Sequence, residues 1–185
     1  YNTLTKTKEP FKPINAPKVK FYVCGVTAYD DCHIGHARSY VVFDTIRRYL
    51  EHCNYDVEYI QNFTDIDDKI IKRGQEKGID PIELSAQYIE AYYKDMDALN
   101  IKRAKKYPKV TESMAQIIEV IKTLIQKGHA YEVQGDVIFS VESFEDYGKL
   151  SKKVVEDLIA GKRIGVDDKK KTPADFVLWK AAKPN

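Results

Sequence analysis

A His-Ile-Gly-His run at residues 33–36 lies between a short apolar segment and a long helical pattern. The segment before it, Val19–Cys24, is rich in β-branched and aromatic residues and is followed by Gly25, which is typical of a buried parallel strand. The pattern after it begins near Ile34 and mixes apolar and polar residues at helical spacing. This order predicts a strand that leads into a helix whose first turn faces the strand's carboxyl end.

The predicted helix start is a candidate phosphate site. The free N–H groups of a first helical turn and the helix dipole both favour anions. Gly35 would let a base or ribose approach the backbone closely, and His33 and His36 could each donate a hydrogen bond to a phosphate oxygen. So short a run also fits surface or capping histidines, so the residues alone leave both interpretations open.

A second strand is predicted at residues 57–62, after the turn-prone residues 54–56. It completes a strand–helix–strand unit, and the right-handed crossover of such units makes the two strands parallel. Asp80 and Pro81 then predict another helix start, since Asp is a favoured N-cap and Pro a favoured first residue. This part of the chain is therefore expected to be α/β with a parallel sheet.

Residues 110–171 predict a different kind of structure. A helix opens near Thr111, and a hairpin with Gly135 in its turn follows. Ser151 is placed to cap a short helix that ends at Gly161. Helix, hairpin and short helix together interrupt the parallel unit, as an inserted domain would.

Several motifs point to one family. They are Phe21–Gly25, Cys32–Arg38, Asn62–Ile70, Met96–Ile101, Lys127–Tyr131, Tyr147–Ser151 and Asp175–Lys180. Together they resemble the cysteinyl-tRNA synthetases, and the resemblance runs from Tyr1 to Asn185. It implies a Rossmann-type class I synthetase catalytic domain that is split by an insertion and followed by a helical tRNA-binding region.

The resemblance also implies a domain organisation. Residues 1–109 would form the first half of the catalytic domain, residues 110–171 an inserted α+β connective domain, and residues 172–185 a truncated return into the catalytic domain. Nothing in the sequence resembles the second half of that domain or its Lys-Met-Ser-Lys-Ser loop. The chain is therefore expected to be an amino-terminal piece with little or no activity by itself.

The family's reaction joins L-cysteine to ATP, used with Mg²⁺, and then moves the cysteinyl group from the adenylate to tRNA(Cys). The amino acid's carboxylate attacks the α-phosphate, so catalysis consists of positioning and charge stabilisation. By resemblance, His33 and His36 would contact the ATP phosphates as catalytic residues, and Gly35 would admit the adenosine.

Two further positions match residues beside the cysteine substrate in this family. They are Gly25, through close backbone approach, and Thr64, through its hydroxyl near the amino group. Thr64 could instead cap a helix that begins at Asp65. Asp65, Asp67, Asp68 and Lys69 look like a carboxylate cluster for Mg²⁺, but acidic residues are ordinary in a first helical turn, and none of the four is assigned a catalytic role.

Cys24 matches a family cysteine that holds one zinc ion, to which the substrate's thiolate binds directly. A soft thiolate binds zinc better than the hydroxyl of serine does, so zinc would supply the specificity. Zinc takes about four ligands. The family's remaining ligands, a Cys, a His and a Glu, are expected beyond residue 185.

The residues alone allow other roles for this thiol. An isolated cysteine such as Cys24 is often a small buried apolar residue. Cys32 and His36 could also form a metal site with Cys24. That site is disfavoured, because His36 cannot bind both metal and phosphate and the cysteine spacing is not typical of zinc.

Composition bounds the remaining possibilities. The formal net charge is +2, three cysteines show no disulfide pattern, and no signal peptide or long apolar stretch is present. We therefore expect a cytoplasmic protein without membrane association. The resemblance implies an enzyme whose partners are tRNA(Cys), L-cysteine and ATP, and we expect it to be a monomer. The basic runs at residues 102–106 and 169–171 are either solvated loops or RNA contacts.

Two alternatives stay open at this level. One is a related cysteine ligase that acts on an amino-sugar thiol precursor with the same zinc and adenylate chemistry. The other is a nucleotide- or RNA-binding module without catalysis.

Overall fold

The computed structural model describes residues 1–152 and 169–182. Its elements are strand β1 (Lys18–Val23), helix α1 (Ile34–His52), strand β2 (Asp56–Gln61), helices α2 (Asp68–Lys77), α3 (Pro81–Ala98) and α4 (Met114–Gln126), and strands β3 (Ala130–Val133), β4 (Asp136–Phe139) and β5 (Phe176–Trp179). Short 3-10 turns lie at Thr111–Ser113 and Val141–Ser143. The chain divides into two compact units, residues 11–114 and residues 1–10 with 115–185. None of the helices in the described ranges is long and apolar enough to cross a membrane.

The unit formed by residues 11–114 is built on a parallel strand pair. β1 and β2 pair in register from Lys18 opposite Asp56 to Val23 opposite Gln61, with α1 as the crossover between them. This confirms the predicted strand–helix–strand unit, with each strand beginning and ending one residue earlier than predicted. Both carboxyl ends therefore lie at one edge of the sheet, where ligands of α/β proteins bind.

An aromatic cluster supports that edge. Phe63, which has no exposed surface, follows β2 and packs edge-on against Tyr92 of α3, with ring centroids 5.1 Å apart. The Phe63 ring also stacks on Tyr107, again with the centroids 5.1 Å apart. Tyr40 of α1 meets Tyr92 edge-on at 5.7 Å. Because these rings are rigid and closely packed, they restrain the positions of the residues just after β2.

The helix starts in this unit follow local side-chain rules. Asp80 caps α3 by accepting hydrogen bonds from the backbone N–H groups of residues 82 and 83, and Pro81 is the first helical residue, as predicted. Asp67 caps α2 by accepting from the N–H of Lys69. The alternative in which Thr64 caps a helix beginning at Asp65 is wrong, because α2 begins three residues later.

The basic run at residues 102–106 is largely neutralised inside its own unit. Its ion pairs are Lys102 with Glu51 at 2.6 Å, Arg103 with Asp97 at 2.6 Å and Lys105 with Glu58 at 3.2 Å. Arg47 of α1 also donates to the carbonyl of Arg103, and Arg48 donates to that of Asn100, just before the run. The run therefore fastens the segment after α3 to α1 and β2, which favours a structural role over an RNA contact.

The other unit contains α4 and an antiparallel sheet in the order β3, β4, β5. Gln134 and Gly135 both have positive φ, 52° and 83°, and form the predicted two-residue hairpin turn. Ile121 of α4 packs with Ala130 and Val137 in a small apolar core. The helix predicted to end at Gly161 lies mostly outside the described residues.

Strand β5 adds information about the end of the chain. The resemblance predicts that residues 172–185 return into the catalytic domain. In the structure Phe176 pairs with Phe139 of β4 and Val177 with Ile138, so this segment completes the sheet of the hairpin. Such long-range pairing leaves no mark in local sequence. The boundaries at residues 109 and 171 stay predictions.

Candidate functional site

The chain segments that follow β1 and β2 lie side by side. The N–H of Gly25 donates to the side-chain oxygen of Asn62 at 2.9 Å. Two residues further on, the N–H of Thr64 donates to the carbonyl of Val26 at 3.0 Å, and the N–H of Ala28 donates to the carbonyl of Thr64 at 3.1 Å. The parallel pairing thus continues past the regular strands and brings together three predicted site residues: Cys24, Gly25 and Thr64.

Gly25 is required by its neighbour's backbone. A Cβ atom built at this position would lie 1.6 Å from the carbonyl oxygen of Asn62, far inside any allowed contact. The two segments could not approach so closely with a side chain between them. This close approach explains the glycine from the fold alone, and its predicted contact with a cysteine substrate stays a prediction.

Cys24 lies at the carboxyl end of β1 with an exposed side chain. Its sulfur is 3.7 Å from the carbonyl of Gly25, and its own carbonyl accepts a hydrogen bond from the hydroxyl of Tyr40 at 3.4 Å. The interpretation of Cys24 as a small buried apolar residue is therefore wrong. Its thiol is accessible to a ligand, while its backbone carbonyl is bonded to Tyr40.

His33 and His36 cap the start of α1. The Nδ1 atom of His33 accepts a hydrogen bond from the N–H of Gly35 at 3.0 Å, and the Nδ1 atom of His36 accepts from the N–H of His33 at 3.3 Å. The two rings stack with their centroids 4.0 Å apart. This is a capping box built from two histidines.

This arrangement fixes the protons of the imidazole rings. A ring whose Nδ1 accepts a hydrogen bond carries its proton on Nε2 when it is neutral. Burial, and secondarily the neighbouring His33, lower the pKa of His36 below its ordinary value of 6.5. The neutral form of each ring therefore carries its donor N–H at Nε2, the nitrogen that the cap does not use, and such a donor suits a phosphate oxygen.

Gly35 makes room for this cap. A Cβ atom at Gly35 would lie 2.8 Å from Cε1 and 2.9 Å from Nδ1 of His33. A side chain would thus push the His33 ring off the helix start. The predicted role of Gly35 toward adenosine is untested, but its role in the cap is direct.

The alternative metal site of Cys24, Cys32 and His36 is not supported. Burial, followed by the charges of Asp95 and Asp31, raises the pKa of Cys32 to about 11, so its thiol stays protonated at neutral pH. Nδ1 of His36 is occupied by the cap. Within residues 1–152 and 169–182, no group of three or more His, Cys, Asp or Glu side chains is arranged to hold a metal. The described residues therefore do not form a zinc site by themselves.

The carboxylate of Asp65 has a structural partner. It is buried and accepts hydrogen bonds from the N–H and hydroxyl of Thr111. It thus fixes the segment after α3 to the segment after β2, which agrees with assigning it no catalytic role. Its partner lies 46 positions away, so no local pattern reveals it.

Sequence reasoning assigned no function to two residues that shape the site. Asn62 holds Gly25, and Tyr40 holds the carbonyl of Cys24. An Asn after a strand is also typical of a turn, and a Tyr at helical spacing is typical of core packing, so neither residue type was a distinctive signal.

A parallel strand–helix–strand unit with a capped helix start at its carboxyl edge is typical of nucleotide-binding α/β domains. Residues 10–185 match the family described as the tRNA synthetases class I (C) catalytic domain, and the chain belongs to this family. The predicted fold, a class I synthetase catalytic domain, is thereby confirmed.

Curated relatives agree with this assignment. The chain is 60% identical over 184 residues to the cysteine–tRNA ligase of Carboxydothermus hydrogenoformans and 59% identical over 184 residues to that of Heliobacterium modesticaldum. In each case all of this chain is covered, but only 40% and 38% of the relative. The chain thus spans about two fifths of the length of the curated relatives it matches.

Solved structures show the fold at lower identity. Mycobacterium tuberculosis methionyl-tRNA synthetase bound by methionyl-adenylate has a TM-score of 0.56 and 20% identity, over 61% of this chain and 23% of that one. The ternary complex of Agrobacterium radiobacter K84 LeuRS with tRNA and LeuAMS has a TM-score of 0.56 and 21% identity, over 70% of this chain and 18% of that one. These likenesses concern the fold alone.

Proposed function

We propose that this chain carries the amino-terminal part of the active site of a cysteine–tRNA ligase. The enzyme would activate L-cysteine with ATP and Mg²⁺ and transfer the cysteinyl group to tRNA(Cys). The observation that carries the proposal is the placement of an exposed thiol, Cys24, and a histidine-capped helix start at the same edge of one parallel sheet. The names of the 60% and 59% identical relatives support it.

In this proposal the start of α1 holds the phosphates of ATP. The Nε2–H groups of His33 and His36 donate to phosphate oxygens, and the helix dipole adds a favourable field. Negative charge builds up on these oxygens as the cysteine carboxylate attacks the α-phosphate. Donors already fixed by the cap need no reorganisation at that moment, so they stabilise the transition state more than the ground state.

The substrate cysteine would lie beside Gly25 and Thr64. The backbone of Thr64 is fixed by its pairing with Val26 and Ala28. Its half-buried hydroxyl has no hydrogen-bond partner among the described residues, so it is available to the amino group of a substrate. Two residues that lie close together in the fold would thus contact one small molecule.

Zinc is part of the proposal only through Cys24. Thiolate sulfur is a common zinc ligand, and this thiol is exposed at the right edge of the sheet. The other ligands would have to come from the substrate and from residues outside those described here. A bound zinc ion supplies a soft Lewis acid that prefers a thiolate to a hydroxyl.

Cysteine-dependent ATP–pyrophosphate exchange tests this function. It would be measured on a purified polypeptide that contains this chain and spans the full length of its relatives, with its intact mass recorded. The expected result is exchange with cysteine, little exchange with serine, and charging of tRNA(Cys). Exchange that is equal with serine, or no exchange at full length, would contradict the proposal, and transfer to an amino-sugar acceptor instead of tRNA would identify the related ligase.

A further inference from the structure

The side-chain oxygen of Asn62 is bonded to one residue on each side of Cys24: Gly25, directly after it, and Tyr22, two positions before it. Oδ1 accepts a hydrogen bond from the N–H of Gly25 at 2.9 Å and another from the hydroxyl of Tyr22, also at 2.9 Å. Tyr22 and Gly25 lie on either side of Cys24 in the sequence. Asn62 therefore spans the residue whose thiol faces the site.

Two other contacts restrain the backbone at Cys24 and Gly25. The Tyr40 hydroxyl donates to the carbonyl of Cys24 at 3.4 Å. The backbone carbonyl of Asn62 occupies the space where a Gly25 side chain would be. The backbone around Cys24 is thus restrained by Asn62, which follows β2, and by Tyr40 of α1.

The contact with Tyr22 suggests that this arrangement serves more than stability. Tyr22 is 64% exposed, so its hydroxyl could be solvated equally well without Asn62. A hydrogen bond at such an exposed position contributes little net free energy, since water competes for both groups. Its clear effect is geometric: it restrains the Asn62 side chain, whose same oxygen holds the backbone N–H of Gly25 next to the exposed thiol.

We propose that Asn62 is a positioning residue that orients the Cys24 thiol through its bonds to Gly25 and Tyr22. The consequence for substrate binding rests on the function proposed above, whereas the effect on the thiol itself does not. Loss of Asn62 lets the Cys24 side chain sample more orientations, in which the thiol faces the substrate less often and meets a reagent in solution more often.

Site-resolved alkylation tests the effect on the thiol. The purified protein is treated with iodoacetamide, and modification of Cys24, Cys32 and Cys53 is followed separately by peptide mass spectrometry. We expect Asn62→Ala to speed the reaction of Cys24 at least threefold and to leave the other two cysteines within twofold. Asn15→Ala, the same change at an exposed site before β1, is the matched control and is expected to change none of them.

A milder variant keeps the test decisive. Tyr22→Phe removes one of the two donors at an exposed position, so it is expected to fold and to speed Cys24 less than Asn62→Ala does. If Asn62→Ala does not fold, Tyr22→Phe decides alone. An unchanged rate at Cys24, or equal acceleration of all three cysteines, would overturn the proposal, because the first shows no restraint and the second shows general loosening.

The functional consequence has its own measurement. In ATP–pyrophosphate exchange at full length, Asn62→Ala is expected to raise the KM for cysteine at least fivefold while the KM for ATP stays within twofold. Equal changes in both KM values would show a merely structural role and overturn the proposal. If the unsubstituted enzyme shows no cysteine-dependent exchange, the proposed function fails, and the alkylation rates still decide the role of Asn62.

Discussion

At the start of α1 and in the turn before β5, side chains accept hydrogen bonds from backbone N–H groups. The two arrangements differ in whether any polar side-chain atoms stay unbonded. At α1, His33 and His36 each use one ring nitrogen in the cap, and the other has no hydrogen bond among the described residues. Before β5, the fully buried Asp175 accepts from Tyr131, Val141 and Thr172 with both oxygens. A polar cluster with spare, accessible donors is suited to binding, whereas a buried and fully bonded one stabilises the fold.

The largest effect is expected at Asp175. Asp175→Ala leaves the buried N–H of Val141 and the partly buried donors of Tyr131 and Thr172 without this acceptor. An unpaired buried donor costs roughly 1–3 kcal/mol, so the free energy of unfolding should fall by about 3 kcal/mol. Urea unfolding would measure it. Asp146→Ala, which removes an exposed ion pair with Lys149, is the control and should change stability by less than about 0.5 kcal/mol. Equal effects of the two changes would contradict a special role for burial.

The next largest effect separates capping from catalysis at His33. Asn is among the best N-caps, so His33→Asn should keep the start of α1 while it removes the Nε2–H donor. Loss of one preorganised donor typically costs about a hundredfold in kcat. We therefore expect kcat of ATP–pyrophosphate exchange to fall about a hundredfold with little change in the unfolding midpoint. A large loss of stability with normal kcat would assign His33 to the fold instead.

A smaller effect is expected at Gly35. The Cβ atom of Gly35→Ala would displace the His33 ring by contact with Cε1 and Nδ1, which weakens the cap by roughly 1 kcal/mol. The matched change is Gly128→Ala after α4, where a Cβ atom meets no neighbour but φ is +77°. We expect both to lower stability modestly and only Gly35→Ala to raise the KM for ATP. Equal KM values in the two variants would show that the cap does not position the phosphate donors.

The smallest effect is the dependence of stability on pH. The two regions lose stability in different pH ranges. The pKa of His36 is lowered on folding, so the unfolded chain binds this proton more readily, and stability from His36 is present above about pH 6.5 and lost as pH falls below it. Burial alone would raise the pKa of Asp175, but its hydrogen bonds more than offset this, and its lowered pKa gives stability that is lost only below about pH 3.8. Urea midpoints against pH would show both steps.

Substitution of His36 separates the two pH ranges in which stability is lost. His36→Gln keeps a capping-box acceptor but does not titrate, so it should remove the step below pH 6.5 and leave the step below pH 3.8. Persistence of the higher step in this variant would assign it to another group.

The sequence predicted those parts of the fold that depend on neighbours in the chain. The parallel unit, the Asp80–Pro81 helix start and the turn at Gly135 each follow from a few adjacent residues. The same holds for the position of Cys24 at the end of β1.

What it did not predict depends on contacts between distant residues. Asp65 bonds Thr111 across 46 positions, and Val141 bonds Asp175 across 34 positions. β5 pairs with β4 after the long segment that separates them. No local propensity encodes such partners, and an Asp looks the same in sequence whether it caps a helix, binds a metal or closes a buried network.

The central claim is tested most directly by measuring exchange rates of His33→Asn and Asp175→Asn side by side, in the full-length polypeptide, at a temperature where both are fully folded. The account predicts that His33→Asn loses about a hundredfold in kcat, the typical cost of one preorganised donor, while Asp175→Asn exchanges ATP and pyrophosphate at the unsubstituted rate. A normal rate in His33→Asn, or an equal loss in both variants, would contradict it.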